Sequence, residues 1–127
     1  MYMVSSPTSA HVDIVTQTNV TWEDAYQFGV PGDLTWNFTN QAFRLDVKGN
    51  KEQAGPLLSI ASNAGQIVID DPINRILHMN VSEALLTASL IPGEYLYDLI
   101  MYSGDNPPIR VALMHGKFTV KEGITGG

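Results

Sequence analysis

The 127-residue chain contains no cysteine, which removes disulfides, thiolate metal sites and a cysteine nucleophile together. Its core has to hold without staples, and a small secreted disulfide scaffold is excluded. Charge is sparse as well, at 16% of residues against 44% hydrophobic, a balance too apolar for a disordered segment. Basic side chains are the scarcer kind. Seven Lys and Arg stand against 13 Asp and Glu, for a formal charge of -6. A field of that sign repels nucleic-acid phosphates and anionic membrane surfaces, so neither is an expected partner. No apolar run reaches transmembrane length, and the start Met1-Tyr2-Met3-Val4-Ser5-Ser6-Pro7 lacks the basic and apolar regions of a signal peptide. A protein made in the cytoplasm is the expectation. Helical periodicity is nearly missing too.

What is present is alternation with period two, the mark of half-buried strands whose successive side chains point to opposite faces. Phe43, Leu45 and Val47 share one parity, with Arg44, Asp46 and Lys48 on the other. Trp22, Tyr26 and Phe28 form a similar set that Asp24 interrupts, and Leu34, Trp36 and Phe38 share a parity beyond the Gly29–Asp33 turn. Leu58 with Ile60 and Ile67 with Ile69 flank Ser62-Asn63-Ala64-Gly65, which reads as a hairpin with a short loop. Leu77, Met79 and Val81 follow, and Tyr95, Tyr97, Leu99 and Met101 alternate with Leu96, Ile100 and Tyr102. With both faces that apolar, the last of these strands is expected to be central.

Ser82-Glu83-Ala84-Leu85-Leu86 opens the one helix candidate, since Ser82 can cap free amides. It is short, so one or two turns bridging strands are expected. Several short strands separated by turn residues predict an all-β, antiparallel, Ig-like β-sandwich with one short helical turn. The inward set is expected to include Phe43, Leu45, Val47, Ile67, Ile69, Tyr97, Leu99, Val111, Leu113 and Phe118. The predicted organisation is an extended N-terminal arm over 1-10, a single sandwich domain over 11-125 and a C-terminal tail at 126-127. Tyr2, Met3 and Val4 make an apolar tip on that arm, and such a tip can gain order by docking on another chain. They are the candidate assembly contacts.

Side chains suited to catalysis are few. His11, His78 and His115 sit in separate segments with no pair at metal-ligand spacing. Asp70 and Asp71, beside Pro72, could join Asp46 or Asp13 around a hard cation, but aspartate in a turn usually caps local amides. Asp98 lies within the most apolar strand and is expected to anchor a neighbouring turn. Tyr95, Tyr97 and Tyr102 could stack on a sugar, although core packing explains Tyr95 and Tyr97 equally well. Gly116-Lys117 lacks the glycine spacing of a phosphate loop. No catalytic, metal or cofactor site is expected, and no cofactor.

Asp33-Leu34-Thr35, Gly93-x-Tyr95-x-Tyr97-Asp98-Leu99, and Gly116-x-Phe118-x-Val120 with Ile124-Thr125 occur in this order. In this the chain resembles small Ig-like β-sandwich virion proteins of tailed bacteriophages, similar to the N-terminal domain of upper baseplate proteins. Asn74-Arg75-Ile76 before an alternating strand fits the same order, while Trp36 stands where such modules often carry glycine. The resemblance implies a non-catalytic virion part made in the host cytoplasm, in the tail, baseplate or fibre-attachment region. Its implied partners are other virion proteins, in a multi-copy or homo-oligomeric arrangement. Tyr97 and Asp98 transfer as structural positions only. The chain stops at Gly126-Gly127 with no long fibre after it, which implies a stand-alone subunit. The alternatives are a capsid decoration protein and, from another class, a carbohydrate-binding module using exposed tyrosines and tryptophans.

Overall fold

Alternating apolar positions close onto one core from two sides in the computed structural model, which describes residues 2–4, 10–29, 36–50, 52–103 and 110–123. The strands are β1 Tyr2–Val4, β2 Ala10–His11, β3 Ile14–Gln17, β4 Trp22–Phe28, β5 Gln41–Lys48, β6 Leu58–Ala61, β7 Ile67–Asp71, β8 Ile76–Val81, β9 Gly93–Ser103 and β10 Arg110–Lys121. One helix, α1 at Glu83–Ser89, follows β8. The smaller sheet runs β1-β4-β8-β7 and the larger β2-β10-β9-β5-β6, with β3 also paired to β10. The predicted sandwich is the fold. Its body is antiparallel, while the three N-terminal strands pair in parallel with β4 and β10.

Phe43, Leu45, Val47, Ile67, Tyr97, Leu99, Leu113 and Phe118 are buried in one cluster, and Ile69 and Val111 pack half-buried against it. Met114 is buried beside Leu113 because the register of β10 against β9 shifts between Ala112 and Met114. A bulge of this kind inserts one unpaired residue, so the inward parity changes from Val111 and Leu113 to Met114, Phe118 and Val120. Asp24 lies on the inward parity of β4 at acceptable cost, because it accepts the Trp22 indole N–H at 2.7 Å and the Tyr26 hydroxyl at 3.4 Å. The Ser82 hydroxyl accepts the Leu85 amide at 3.2 Å and starts α1.

Three expectations change. The segments around Ser62–Gly65 are not a hairpin: β6 pairs with β5 in the larger sheet and β7 with β8 in the smaller. A 3-10 turn at Ser62–Ala64, closed by Gly65 at φ 84, carries the chain across the sandwich edge. Glycine adopts that left-handed conformation without a Cβ penalty. Both alternating runs therefore face one core from opposite sides, which periodicity alone cannot distinguish from a hairpin.

Residues 36–38 form no strand, although Phe38 reaches the core. Asn40, at φ 61, turns the chain instead, with the Gln41 amide donating to the Phe38 carbonyl at 3.1 Å. The N-terminal arm is also corrected. Tyr2, Met3 and Val4 pair with Tyr26, Gln27 and Phe28 of the same chain, and Ala10 and His11 pair with Met114 and His115. The edges of β4 and β10 offer unpaired amides and carbonyls that a short segment completes at once. The Asp33-Leu34-Thr35 turn, Ile124-Thr125 and the 126-127 tail lie outside the described residues. Among the described residues no helix is long and apolar enough to cross a membrane.

Candidate functional site

The outward parity of the larger sheet builds one broad face. Along β9, Leu96, Asp98, Ile100 and Tyr102 alternate with the buried Tyr97 and Leu99, and the neighbouring strands add residues in register. One cross-strand row reads Lys48, Leu96, Lys117; the next reads Asp46, Asp98, His115, His11. Arg44, Ile100 and Ala112 follow, and then Ala42, Tyr102 and Arg110. Apart from Ala42 and Ala112, these residues line a depression of about 1020 Å³. Its floor is the partly apolar β9, its flanks carry four cations, and its middle row carries the acids and histidines.

The middle row sets the electrostatics. Asp46 and Asp98 stand directly opposite each other, a destabilising arrangement for two like charges on a sheet. Asp46 is compensated, since one of its oxygens accepts Arg44 Nε at 2.9 Å and the Ser59 hydroxyl at 2.7 Å. Asp46 in turn raises the Arg44 pKa above its ordinary value. Partial burial, and then the charge of Asp46, push the Asp98 carboxyl above its ordinary value, while Lys48 and His115 act in the opposite sense. The expected turn anchor is thus an outward-facing carboxylate in a crowded row.

A carboxyl with a raised folded pKa is favoured when protonated, so its relative contribution is full below the unfolded pKa and is lost as pH rises through the folded value. Asp98→Asn is therefore expected to raise the melting temperature modestly at pH 7. That gain should shrink to nothing as pH falls below the ordinary carboxyl pKa of 3.8. Thermal melts across that range check it, and a loss of stability at pH 7 would show that Asp98 makes a favourable contact instead.

At the β10 edge of this face two backbone segments approach closely. A Cβ on Gly116 would lie 2.5 Å from the Val12 carbonyl oxygen and 2.9 Å from an Asp13 carboxylate oxygen. Asp13 accepts the Lys117 amide at 2.9 Å and lies 2.8 Å from His11 Nε2, and these contacts hold its carboxyl below the ordinary range. The Tyr97 hydroxyl donates to the Val12 carbonyl, and burial pushes its pKa well up. Tyr97 is a structural tie between β9 and the link from β2 to β3.

The fold brings His11 and His115 together, with ring centroids 5.4 Å apart, although the sequence places them in separate segments. His78 is on the smaller sheet, 4.0 Å from Asp70. Asp71 caps its turn, accepting the Ile73 and Asn74 amides at 3.1 and 3.0 Å and the Asn74 side chain at 2.9 Å. It does not join Asp46 or Asp13. Among the described residues, no group of three or more His, Cys, Asp or Glu is arranged to hold a metal ion. Of the aromatic residues considered for sugar stacking, Tyr95, Tyr97 and Trp22 are buried, Trp36 covers Arg75, and Tyr102 reaches the face. The four rows were missed in the sequence because register between distant strands is not written in any single segment.

No protein-family profile and no curated protein matches the sequence. Among solved structures, the chain is similar to CopC from Methylosinus trichosporium OB3b, at 12% identity over 94% of this chain and 90% of that one, with a TM-score of 0.41. A likeness of that size says nothing about ligands.

Proposed function

We propose that the chain is a structural subunit of a tailed-phage virion, placed in the tail, baseplate or fibre-attachment region and acting by protein–protein assembly. The observation that carries this reading is the outer face of the larger sheet. It spans four strands as one broad depression, with the partly apolar β9 crossed by rows that carry charge. A broad face that mixes apolar side chains of one strand with charged side chains of its neighbours offers both the contact area and the electrostatic complementarity that protein docking uses. The residues behind the sequence resemblance add support. Tyr95, Tyr97, Leu99, Phe118 and Val120 are core positions of β9 and β10, so they build the sandwich and leave its outer face free to vary.

Quantitative mass spectrometry and immunogold labelling of gradient-purified particles, from the phage whose genome encodes the chain, test this reading. A fixed copy number with label on the tail is expected. Label over the capsid would instead establish the decoration alternative, and absence from purified particles would refute a virion role.

A further inference from the structure

The chain's few cations are not spread evenly. Arg44, Lys48, Arg110 and Lys117, four of the chain's seven Lys and Arg, line the outer face of the larger sheet, and among the described acidic residues Asp46 and Asp98 line it with them, with Asp13 at its edge. Arg75 is buried. A protein of net charge -6 therefore carries a cluster of cations on this face, with an acidic row across its middle.

The outer face of the smaller sheet has the opposite layout. Glu23 is at one end, paired with Asn80; Ala25, His78 and Val68 form the next row, and Ile76 the one after, beside the buried Gln27 and where Asp70 sits in the bulge of β7. Among the described residues no Lys or Arg points outward there, and Val68 is 40% exposed. Acids stand at the ends and a histidine in the middle. On the larger sheet, cations stand in the outer rows and the acids in the middle.

The spacing agrees as well. Glu23, Ala25 and Gln27 follow one another two residues apart along β4, as Leu96, Asp98 and Ile100 do along β9. At about 3.3 Å per residue, each pair of rows is about 7 Å apart on both faces. With Glu23 opposite the Lys48–Lys117 row, His78 falls opposite Asp46 and Asp98, and Asp70 opposite the Arg44 row. Ile76 then meets Ile100, and Ala25 and Val68 flank His78 over the Asp46–Asp98 row.

We infer that the outer face of the larger sheet docks a second copy of this chain through the outer face of that copy's smaller sheet. The inference rests on the assembly reading above and names its partner. Because the two faces lie on opposite sides of one sandwich, the contact is head to tail. It builds a ring if the rotation closes and a stack if it does not.

Sedimentation velocity on the full chain tests this, using two double variants. Lys48→Glu with Lys117→Glu makes both outer faces acidic; Glu23→Lys with Asp70→Lys makes both cationic. The wild-type chain is expected to associate with rising concentration, and less so as salt is raised from about 0.05 to 0.5 M, which shortens the screening length. Each variant alone should associate about tenfold or more weakly, since like charges then meet across the contact. Mixing the two should restore association, because every contact in the mixture again joins opposite charges.

A wild-type chain that stays monomeric at about 1 mM, reversals without effect, or a mixture no better than its components would each overturn the inference. So would a chain whose association responds only to the change at Lys48 and Lys117, since another occupant would then cover that face. If a variant fails to fold by its melting curve, single cysteines replace it: Asn80→Cys and Leu96→Cys chains, otherwise cysteine-free, stand in facing rows and should cross-link to each other in preference to themselves, and equal self-linking contradicts the contact. Neutral reversals in a protein found in particles would end this inference alone. Absence from particles with the association intact would end only the virion reading.

Discussion

Replacing Arg75 by alanine is expected to destabilise the protein by roughly 3 kcal/mol or more, since several buried carbonyls lose their donor together. Arg75 is fully buried at the turn before β8. Its Nε donates to the Phe28 carbonyl at 2.7 Å, and one terminal nitrogen donates to the carbonyls of Trp36 at 2.8 Å and Ile73 at 3.2 Å. The guanidinium carbon lies 5.0 Å from the centre of the Trp36 ring, an arrangement that is favourable when desolvated. One side chain thus ties the end of β4, the chain before β5 and the β7–β8 turn. Lysine keeps the charge but not the planar fork of donors, so Arg75→Lys should recover only a minor part of the loss. For a domain of this size the alanine variant should melt on the order of 10 °C lower. A melting curve that overlays the wild type would show that the carbonyls find other donors.

Phe43→Ala is expected to cost about 3 to 5 kcal/mol, a large share of the roughly 5 to 15 kcal/mol that holds an ordinary domain together. Phe43 is fully buried in β5, and its ring meets Phe38 edge-on at 4.7 Å. Phe38 in turn contacts Phe28 at 5.7 Å and Trp36 at 5.9 Å. Truncation opens a cavity at the junction of the two sheets, where the surrounding rings are tied to Arg75 and cannot simply collapse into it. Phe43→Leu retains most of the volume and should cost about 1.5 kcal/mol or less. Denaturant unfolding of both variants measures this, and equal midpoints for Phe43→Ala and the wild type would contradict the packing described.

Strand existence was legible because alternation is local: the Phe43–Leu45–Val47 run and the Tyr97–Leu99 run both declare an inward face within a few residues. The central place of β9 followed from its apolar outer positions Leu96, Ile100 and Tyr102. What the sequence could not disclose was pairing over distance. Ser62–Gly65 looks the same whether the next strand returns to its neighbour or crosses to the other sheet, and only the choice of partner for β7 separates the two. Tyr2–Val4 resembles a free tip until the open edge of β4 is seen beside it.

The candidate face was half visible. Arg44, Asp46 and Lys48 were recognisable as an outward row, but the meeting of Asp46 with Asp98, and of His115 with His11, depends on three registers that join β5, β9, β10 and β2. Arg75 gave no sign of its burial, since its partners are carbonyls, which every residue carries.

The central claim is that this outer face works by docking protein. Its most direct measurement is the copy number per particle when cells supply the Lys48→Glu, Lys117→Glu chain in place of the wild type. An Ala88→Lys chain, changed at an exposed position of α1, serves as control. With all three chains melting alike, the account expects the control to be incorporated at wild-type level and the face variant to fall about tenfold or more. Equal incorporation of the face variant and the control would contradict it.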